Sequence, residues 1–423
     1  MKKVLFAIQW YPSVLSANAL CDEKIIDALL MQNKYEITCL CYRSNGQKQN
    51  EEIKGVHIYR FTKSWWWNTV IDSKKGLTKF PNVILFLDHI LLRIKQLLTI
   101  PVFPFVSLKS CVKFAYHAYK LQKKKHFDIV VAEHHGLDCL FAGYIIKCLF
   151  PKIKFVGILW DPISAKETPT YLPKDYGQKR LIWQERLFLS KADKLIGMKS
   201  SIETVQQLGL ALDEKHIVGD IPGIINPKIE SCSSHPAIKA ECVNIVFSGI
   251  LSLPDRDPEY IIKLLGQTKF ANKINLIFFC TGAGREKLKV LKQDFPGVIS
   301  LNNYIPHKEL LCVYQQCDIL LNFGGRNPNM VPSKIFEYMS CCKPIISMLS
   351  IDNEASANYL RDYPLSICID ERKPLSETVC IIEKFLDVTI KNSITFEEVE
   401  RLFPLNIPNS YVKVIDSLCS ENA

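Results

Sequence analysis

Sixteen cysteines are scattered through these 423 residues without one Cys-x-x-Cys spacing. That absence removes the ligand pattern on which a structural zinc site would rest. Cys39 and Cys41 alternate along a strand-like run, and Cys341 and Cys342 are adjacent. The cysteines therefore read as reduced packing residues, not as a disulfide framework. Long uncharged apolar stretches are missing as well. The best attempt, 83–108, is interrupted by Asp88, His89, Arg93 and Lys95, which argues against a membrane span. Met1-Lys-Lys leads into only five apolar residues, and Gln9-Trp10-Tyr11-Pro12 is not a cleavage site, so a first buried strand is expected there and not a signal peptide. A dinucleotide fingerprint is also lacking, because Lys287 stands where Gly282-Ala-Gly284 would need a third glycine.

What is present is a composition for two cores. The chain is 48% hydrophobic, and its length suits two domains of about 200 residues each. Charge is unevenly placed. Residues 60–126 hold thirteen Lys/Arg against Asp72 and Asp88, a net +11, whereas the whole chain carries +10. The same stretch contains Trp65-Trp66-Trp67 and an amphipathic run over 84–98. Basic residues, interfacial tryptophans and an apolar helical face suit an anionic membrane surface. A solvated basic face with the tryptophans packed inside is the plainer alternative. No recognition motif accompanies the charge, so no nucleic-acid partner is expected.

The first half alternates strand-like runs (4–9, 36–42, 128–132, 154–159) with helix-like ones (18–32, 137–148). The second half repeats the pattern, with strands at 244–248, 275–280 and 319–322 and helices at 258–265, 285–293 and 333–339. Such βαβ patterning predicts an α/β protein with parallel sheets covered on both faces. The expected division is a Rossmann-like domain over 1–222, a Pro-, Ser- and Lys-rich linker over 223–242 and a second Rossmann-like domain over 243–395. A helical segment over 396–423, bent by Pro404 and Pro408, would follow.

Residues 329–344 read Asn-Met-Val-Pro-Ser-Lys-Ile-Phe-Glu-Tyr-Met-Ser-Cys-Cys-Lys-Pro. They follow an apolar run and a loop containing Gly324-Gly325. Pro332 and Ser333 offer helix-start chemistry, the hydroxyl of Ser333 being placed to take orphan N–H groups. Pro344 ends the helix. A helix N-terminus at the end of a strand attracts anions, and Lys334 adds a full charge. Glu337 lies one turn from Ser333 on the same face. The arrangement suits a nucleoside diphosphate whose ribose hydroxyls meet the carboxylate, although an ordinary amphipathic helix with a solvated Lys–Glu pair fits the same residues.

This segment resembles the nucleotide-sugar site of glycosyltransferase family 4, whose members have the GT-B fold. Other landmarks appear in order: Ile245-Val-Phe-Ser-Gly249, Asp255-Arg-Asp-Pro258, Thr281-Gly-Ala-Gly284, and Val313-Tyr314 through Asp318. The resemblance covers essentially the whole chain and is sharper in its second half. It implies two facing Rossmann-like domains with an interdomain cleft, a last helix that crosses back to the first domain, and a UDP- or GDP-sugar as substrate, with no cofactor. Gly249, Arg256, Gly282, Asn329, Ser333, Lys334 and Glu337 would bind the donor. Arg256 and Lys334 would stabilise the departing diphosphate, Arg256 through a bidentate fork. In the first domain the resemblance points to a histidine that contacts the donor sugar, with His134 and His135 both eligible. Asn18, Glu133 and Asp161 are further candidate contacts to sugar or acceptor, although a turn-initiating role explains Asp161 equally well. The implied reaction is retaining and metal-independent, with a glycan or lipid-linked glycan as acceptor. The setting would be surface-polysaccharide assembly, capsule or O-antigen, at the cytoplasmic face of a membrane.

Two departures stand out. The family commonly has a second acid eight residues before the matching glutamate, where this chain has Asn329. The first strand–helix turn lacks paired glycines and offers Ser16, Ala17 and Asn18 instead. Asp255-Arg-Asp257 superficially matches an Asp-x-Asp metal motif, but Pro258 behind it favours a helix cap at Asp257. A sugar-nucleotide epimerase on the same fold and a non-catalytic scaffold of a polysaccharide complex are the alternatives.

Overall fold

The structure is a computed structural model that describes the chain except for residues 13–16, 105–106, 135–136, 162, 165–167, 200–201, 203–205, 207–214, 228–231, 327–330, 390–391 and 421–423. The chain divides into two compact units, Met1–Pro222 with Pro408–Ala423, and Gly223–Ile407.

In the first unit eight strands form one sheet: β1 (Lys2–Ala7), β2 (Tyr35–Tyr42), β3 (Asn50–Ile53), β4 (Val56–Phe61), β5 (Ile129–Glu133), β6 (Lys154–Leu159), β7 (Lys194–Met198) and β8 (His216–Gly219). Their order is β3-β4-β2-β1-β5-β6-β7-β8, and every pairing except the β3–β4 hairpin is parallel. The helices are α1 (Ala17–Met31), α2 (Trp65–Lys74), α3 (Pro81–Leu98), α4 (Leu108–Lys125), α5 (Leu137–Leu149) and α6 (Lys174–Lys191). Leu5, Leu40, Val130 and Phe155 share a core with Phe114 of α4 and Leu140 of α5. Val4, Ile37, Val131 and Val156 share another with Ile25 and Leu29 of α1. Burial on both faces is why these strands read as continuous apolar runs.

The second unit holds β9 (Val243–Ile250), β10 (Ile274–Thr281), β11 (Ile299–Asn302), β12 (Ile319–Phe323), β13 (Ile345–Leu349) and β14 (Ser366–Asp370). They form a wholly parallel sheet in the order β11-β10-β9-β12-β13-β14. Its helices are α7 (Glu259–Gly266), α8 (Gly284–Asp294), α9 (His307–Gln316), α10 (Lys334–Ser340), α11 (Ala355–Leu360), α12 (Leu375–Thr389) and α13 (Phe396–Leu402). The last helix, α14 (Pro408–Ser420), begins at Pro408 and belongs to the first unit. There the Tyr411 hydroxyl donates to the Asp220 carbonyl at 2.6 Å, and the Tyr35 hydroxyl bonds the Asp416 carboxylate.

The described residues of 223–242, a stretch expected from composition to be a linker, are held against the second unit. The His235 amide donates to Gln316 Oε1 at 2.9 Å, Asn275 Nδ2 to the Ala237 carbonyl at 2.8 Å, and Ile225 N to Ser340 Oγ at 3.1 Å. The expectation of uniformly reduced cysteines needs correction here. Cys232 and Cys312, 80 positions apart in sequence, are disulfide-bonded with Cα atoms 5.7 Å apart. Gln316, one turn beyond Cys312, clamps the Ser233 carbonyl as well as His235, and so holds Cys232 beside α9. The other fourteen cysteines are free.

Each sheet has one place where the strand order changes direction: between β1 and β5 in the first, between β9 and β12 in the second. Beyond the carboxyl ends of strands at such a point, neighbouring connections part and leave room for a ligand.

Candidate functional site

The β9–β12 point is where most of the expected donor residues converge. β9 closes on Ser248-Gly249-Ile250. Gly249 has φ +140°, and a Cβ there would lie 3.2 Å from Lys334 Nζ, so glycine both permits the turn and leaves the lysine its place. α10 is seated by Ile335, Phe336, Tyr338 and Met339, all fully buried. Lys334 and Glu337, three apart, project from its half-buried face.

Lys334 Nζ donates to the Ser248 carbonyl at 2.6 Å and to its hydroxyl at 2.9 Å. The Ser248 hydroxyl also bonds the Tyr314 hydroxyl from α9, and the Tyr314 and Tyr338 rings meet edge to face at 5.2 Å. This buried network fixes the ammonium against the end of β9. Burial lowers the Lys334 pKa below the ordinary lysine value; Glu337 opposes that shift and Arg256 adds to it. The ammonium is thus short of negative charge, the condition in which an arriving anion gains most.

Arg256 holds its guanidinium over the end of the same strand, with Nη1 3.3 Å from the Ile250 carbonyl. Glu337 accepts a hydrogen bond from His307 Nε2, on the first residue of α9. Two cations and a carboxylate one helical turn along therefore occupy one side of the switch point.

Other expectations fare differently. Ser333 has helical backbone (φ −57°, ψ −19°) and its hydroxyl makes no capping bond, because a side-chain cap needs an extended residue at that position. Pro332 is not the first helical residue either; its carbonyl accepts from Ile335 N at 3.2 Å. Gly282 is required by backbone crowding: with φ +93°, a Cβ would come 2.6 Å from the Leu251 carbonyl oxygen. Asn329 lies outside the described residues. Pro258, not Asp257, stands at the N-cap of α7; Asp257 precedes it, accepts from Glu259 N at 3.0 Å and faces Lys287 at 2.6 Å. Asp255 instead faces Arg326 at 3.3 Å.

The loop after β12 is anchored by Glu354, a buried residue that caps α11 by accepting from Ser356 N at 3.0 Å and Ala357 N at 3.2 Å. A Cβ on Gly324 would sit 2.8 Å from its carboxyl carbon. Gly324→Ala is therefore expected to lower stability by about 1–3 kcal/mol, since it pushes a capping carboxylate out of a packed site. An unchanged midpoint in urea denaturation would show that Glu354 can move aside freely.

In the first unit, the β1–β5 point carries Glu133 and His134. Glu133 is buried and accepts from Gln9 N at 2.9 Å and Trp160 Nε1 at 3.2 Å, so its oxygens tie the ends of β1 and β6 together. His134 is buried too, its Nδ1 3.1 Å from the Asp161 carbonyl. Asp161 itself is exposed, and Asn18 stands in the first turn of α1. His135 lies outside the described residues. Sequence reasoning missed Ser248, Tyr314 and His307 as partners of the Lys334–Glu337 pair. Ser248 and Tyr314 lay inside segments already singled out, whereas His307 did not.

No protein-family model matches this sequence, and no curated protein matches it by sequence. Solved structures match it along its length. Sucrose-phosphate synthase from Thermosynechococcus elongatus is 12% identical, with a TM-score of 0.59 over 100% of this chain and 99% of that one. Anabaena HepE in complex with UDP-glucose is 14% identical, with a TM-score of 0.56 over 100% of both chains. The UDP-GlcNAc 2-epimerase from Methanocaldococcus jannaschii is 10% identical, with a TM-score of 0.56 over 99% of this chain and 100% of that one. At these identities the likeness shows the fold: α/β with two Rossmann-like domains, GT-B, an architecture that glycosyltransferases share with 2-epimerases.

Proposed function

We propose that this chain is a glycosyltransferase. It moves a sugar from a UDP- or GDP-linked donor to a glycan or lipid-linked glycan in polysaccharide assembly, with retention and without a metal. The observation that carries this reading is the placement of Lys334, Arg256 and Glu337 around the end of β9, at the point where the strand order reverses. Lys334 and Arg256 would neutralise the diphosphate, and Glu337 would exchange His307 for two ribose hydroxyls.

In the step itself the bond between the anomeric carbon and the diphosphate oxygen breaks, and a bond to the acceptor oxygen forms. The acceptor's proton passes to an oxygen of the departing nucleoside diphosphate. Preorganised cations lower the barrier because the negative charge grows on that leaving group. Asn329, Ser333, Gly249 and Gly282 would line the donor. His134 or His135 would contact the donor sugar, and Asn18, Glu133 and Asp161 remain the candidates for contact with sugar or acceptor. Glu133 would act there by positioning Gln9 and Trp160, since its own oxygens are occupied.

A thermal-shift comparison of UDP, GDP and ADP tests the reading, because a ligand of the native state raises its melting temperature. One nucleotide is expected to stand out, and Glu337→Ala and Arg256→Ala to abolish its shift. If both variants keep the full shift, the nucleotide sits elsewhere. The epimerase likeness makes one rival concrete. A donor converted to its epimer without acceptor, with no free nucleoside diphosphate released, would replace the transferase reading.

A further inference from the structure

We propose that α3 is an in-plane membrane anchor, whose outward face beds into the surface of an anionic lipid bilayer. This goes beyond the transferase reading and rests on other residues.

α3 is inverted relative to an ordinary surface helix. It is 18 residues long and none of them is buried. At 100° per residue, Val83, Ile84, Phe86, Leu87, Ile90, Leu91, Ile94, Leu97 and Leu98 fill a continuous arc of roughly 160°. All of these but Ile84 are exposed, up to 64% at Phe86 and 77% at Leu98. On the opposite side, which also carries Leu85 and the exposed Leu92, Asp88 accepts from Trp66 Nε1 of α2 at 2.8 Å, and Lys95 Nζ donates to Ser107 Oγ at 2.8 Å. A helix that turns its leucines to water and its aspartate inward has its partner outside the chain.

The charge around this face says what the partner is. Lys74 at the end of α2, and Lys75 and Lys79 in the turn leading into α3, are exposed, as is Arg93 at one edge of the apolar arc. The only acids between residues 60 and 126 are turned to internal use: Asp88 as above, and Asp72, which accepts from Asn45 Nδ2 at 2.6 Å. An apolar strip set among unopposed cations matches acyl chains beneath anionic headgroups. Pairing with a second copy would set lysine and arginine against themselves. Asp88, Arg93 and Lys95 keep α3 from spanning, and no helix among the described residues is long and apolar enough to cross a membrane. The expectation of three interfacial tryptophans is corrected here. Trp65 alone is exposed, at 76%, whereas Trp67 stacks on Trp10 at 5.1 Å and packs against Tyr42.

Co-sedimentation of the full chain with phosphatidylcholine vesicles, with and without phosphatidylglycerol, tests this. The chain is expected to pellet with the anionic vesicles and to stay in solution with the neutral ones. Phe86→Ser with Ile90→Ser and Ile94→Ser should weaken binding roughly tenfold or more, without changing the melting temperature, because all three side chains are exposed. Lys74→Glu with Lys75→Glu and Lys79→Glu should do the same, as should raised salt. Pelleting that ignores both variants would overturn the proposal. So would a concentration-dependent dimer in light scattering that Phe86→Ser with Ile90→Ser and Ile94→Ser dissolves while the wild type ignores vesicles.

Discussion

Lys334→Met is expected to lower donor turnover by about 10²–10³-fold and to erase the nucleotide-induced thermal shift, while the free protein melts at the same temperature or higher. The two halves of this result have one cause. Lys334 sits with its ammonium on the Ser248 carbonyl and hydroxyl, and burial holds its pKa below the ordinary 10.5. A depressed lysine pKa means that the unfolded chain binds the proton more tightly than the native one. Stability therefore rises with pH between the lowered native value and the ordinary one, and the ammonium costs the native state free energy below that window. Methionine keeps the apolar stem and removes that cost. Ser248 retains its bond to Tyr314. A lysine kept for structure would behave in the opposite way, losing stability on substitution while nucleotide binding persisted. Denaturation and nucleotide titration on the same variant separate the two outcomes. The wild type adds a pH signature, because donor affinity should fall as pH rises through the lowered native pKa and the ammonium is lost.

Why Lys334 was legible in the sequence, and its partners were not, follows from the range of each signal. Strand, glycine, loop and helix come in a fixed order around Ser248-Gly249 and Lys334, so a ligand site at these strand ends could be anticipated from local pattern, although the strand order could not. The cap expected of Ser333 failed because capping depends on a backbone angle, and a serine with φ −57° reads the same in sequence as one that caps. His307 reaches Glu337 across 30 positions and Tyr314 reaches Ser248 across 66, distances over which no periodicity carries. The Cys232–Cys312 bond escaped for the same reason. At 84–98 the pattern did give an amphipathic helix. It could not say that the apolar side faces outward, since that depends on Asp88 meeting Trp66 of another helix.

Asp22→Asn is expected to stabilise the protein by about 1–3 kcal/mol at neutral pH and to change little in acid. Asp22 lies on the inner face of α1, 1% exposed, and neither carboxylate oxygen meets a donor. Its neighbour Glu133 is also an acceptor, so the two bond only when one carries a proton. Burial first, then the negative charge of Glu133, raises the Asp22 pKa well above 3.8. The native state therefore binds that proton more tightly than the unfolded chain. Stability is fully present below the ordinary aspartate value and is lost as pH rises through the raised native one. Asparagine donates to Glu133 at every pH and should flatten that slope. Guanidinium denaturation at about pH 4 and about pH 8 measures it: wild type and variant should converge in acid and separate at the higher pH. Equal loss of stability at both pH values would mean that the Asp22 carboxylate makes a native bond, and the argument would fail. If the slope does flatten, the Asp22 proton is the one that joins the pair, with Glu133 accepting from the Gln9 amide and the Trp160 indole at the carboxyl edge of the first sheet. Glu133 then fixes the Gln9 backbone and the Trp160 indole at the β1–β5 switch point.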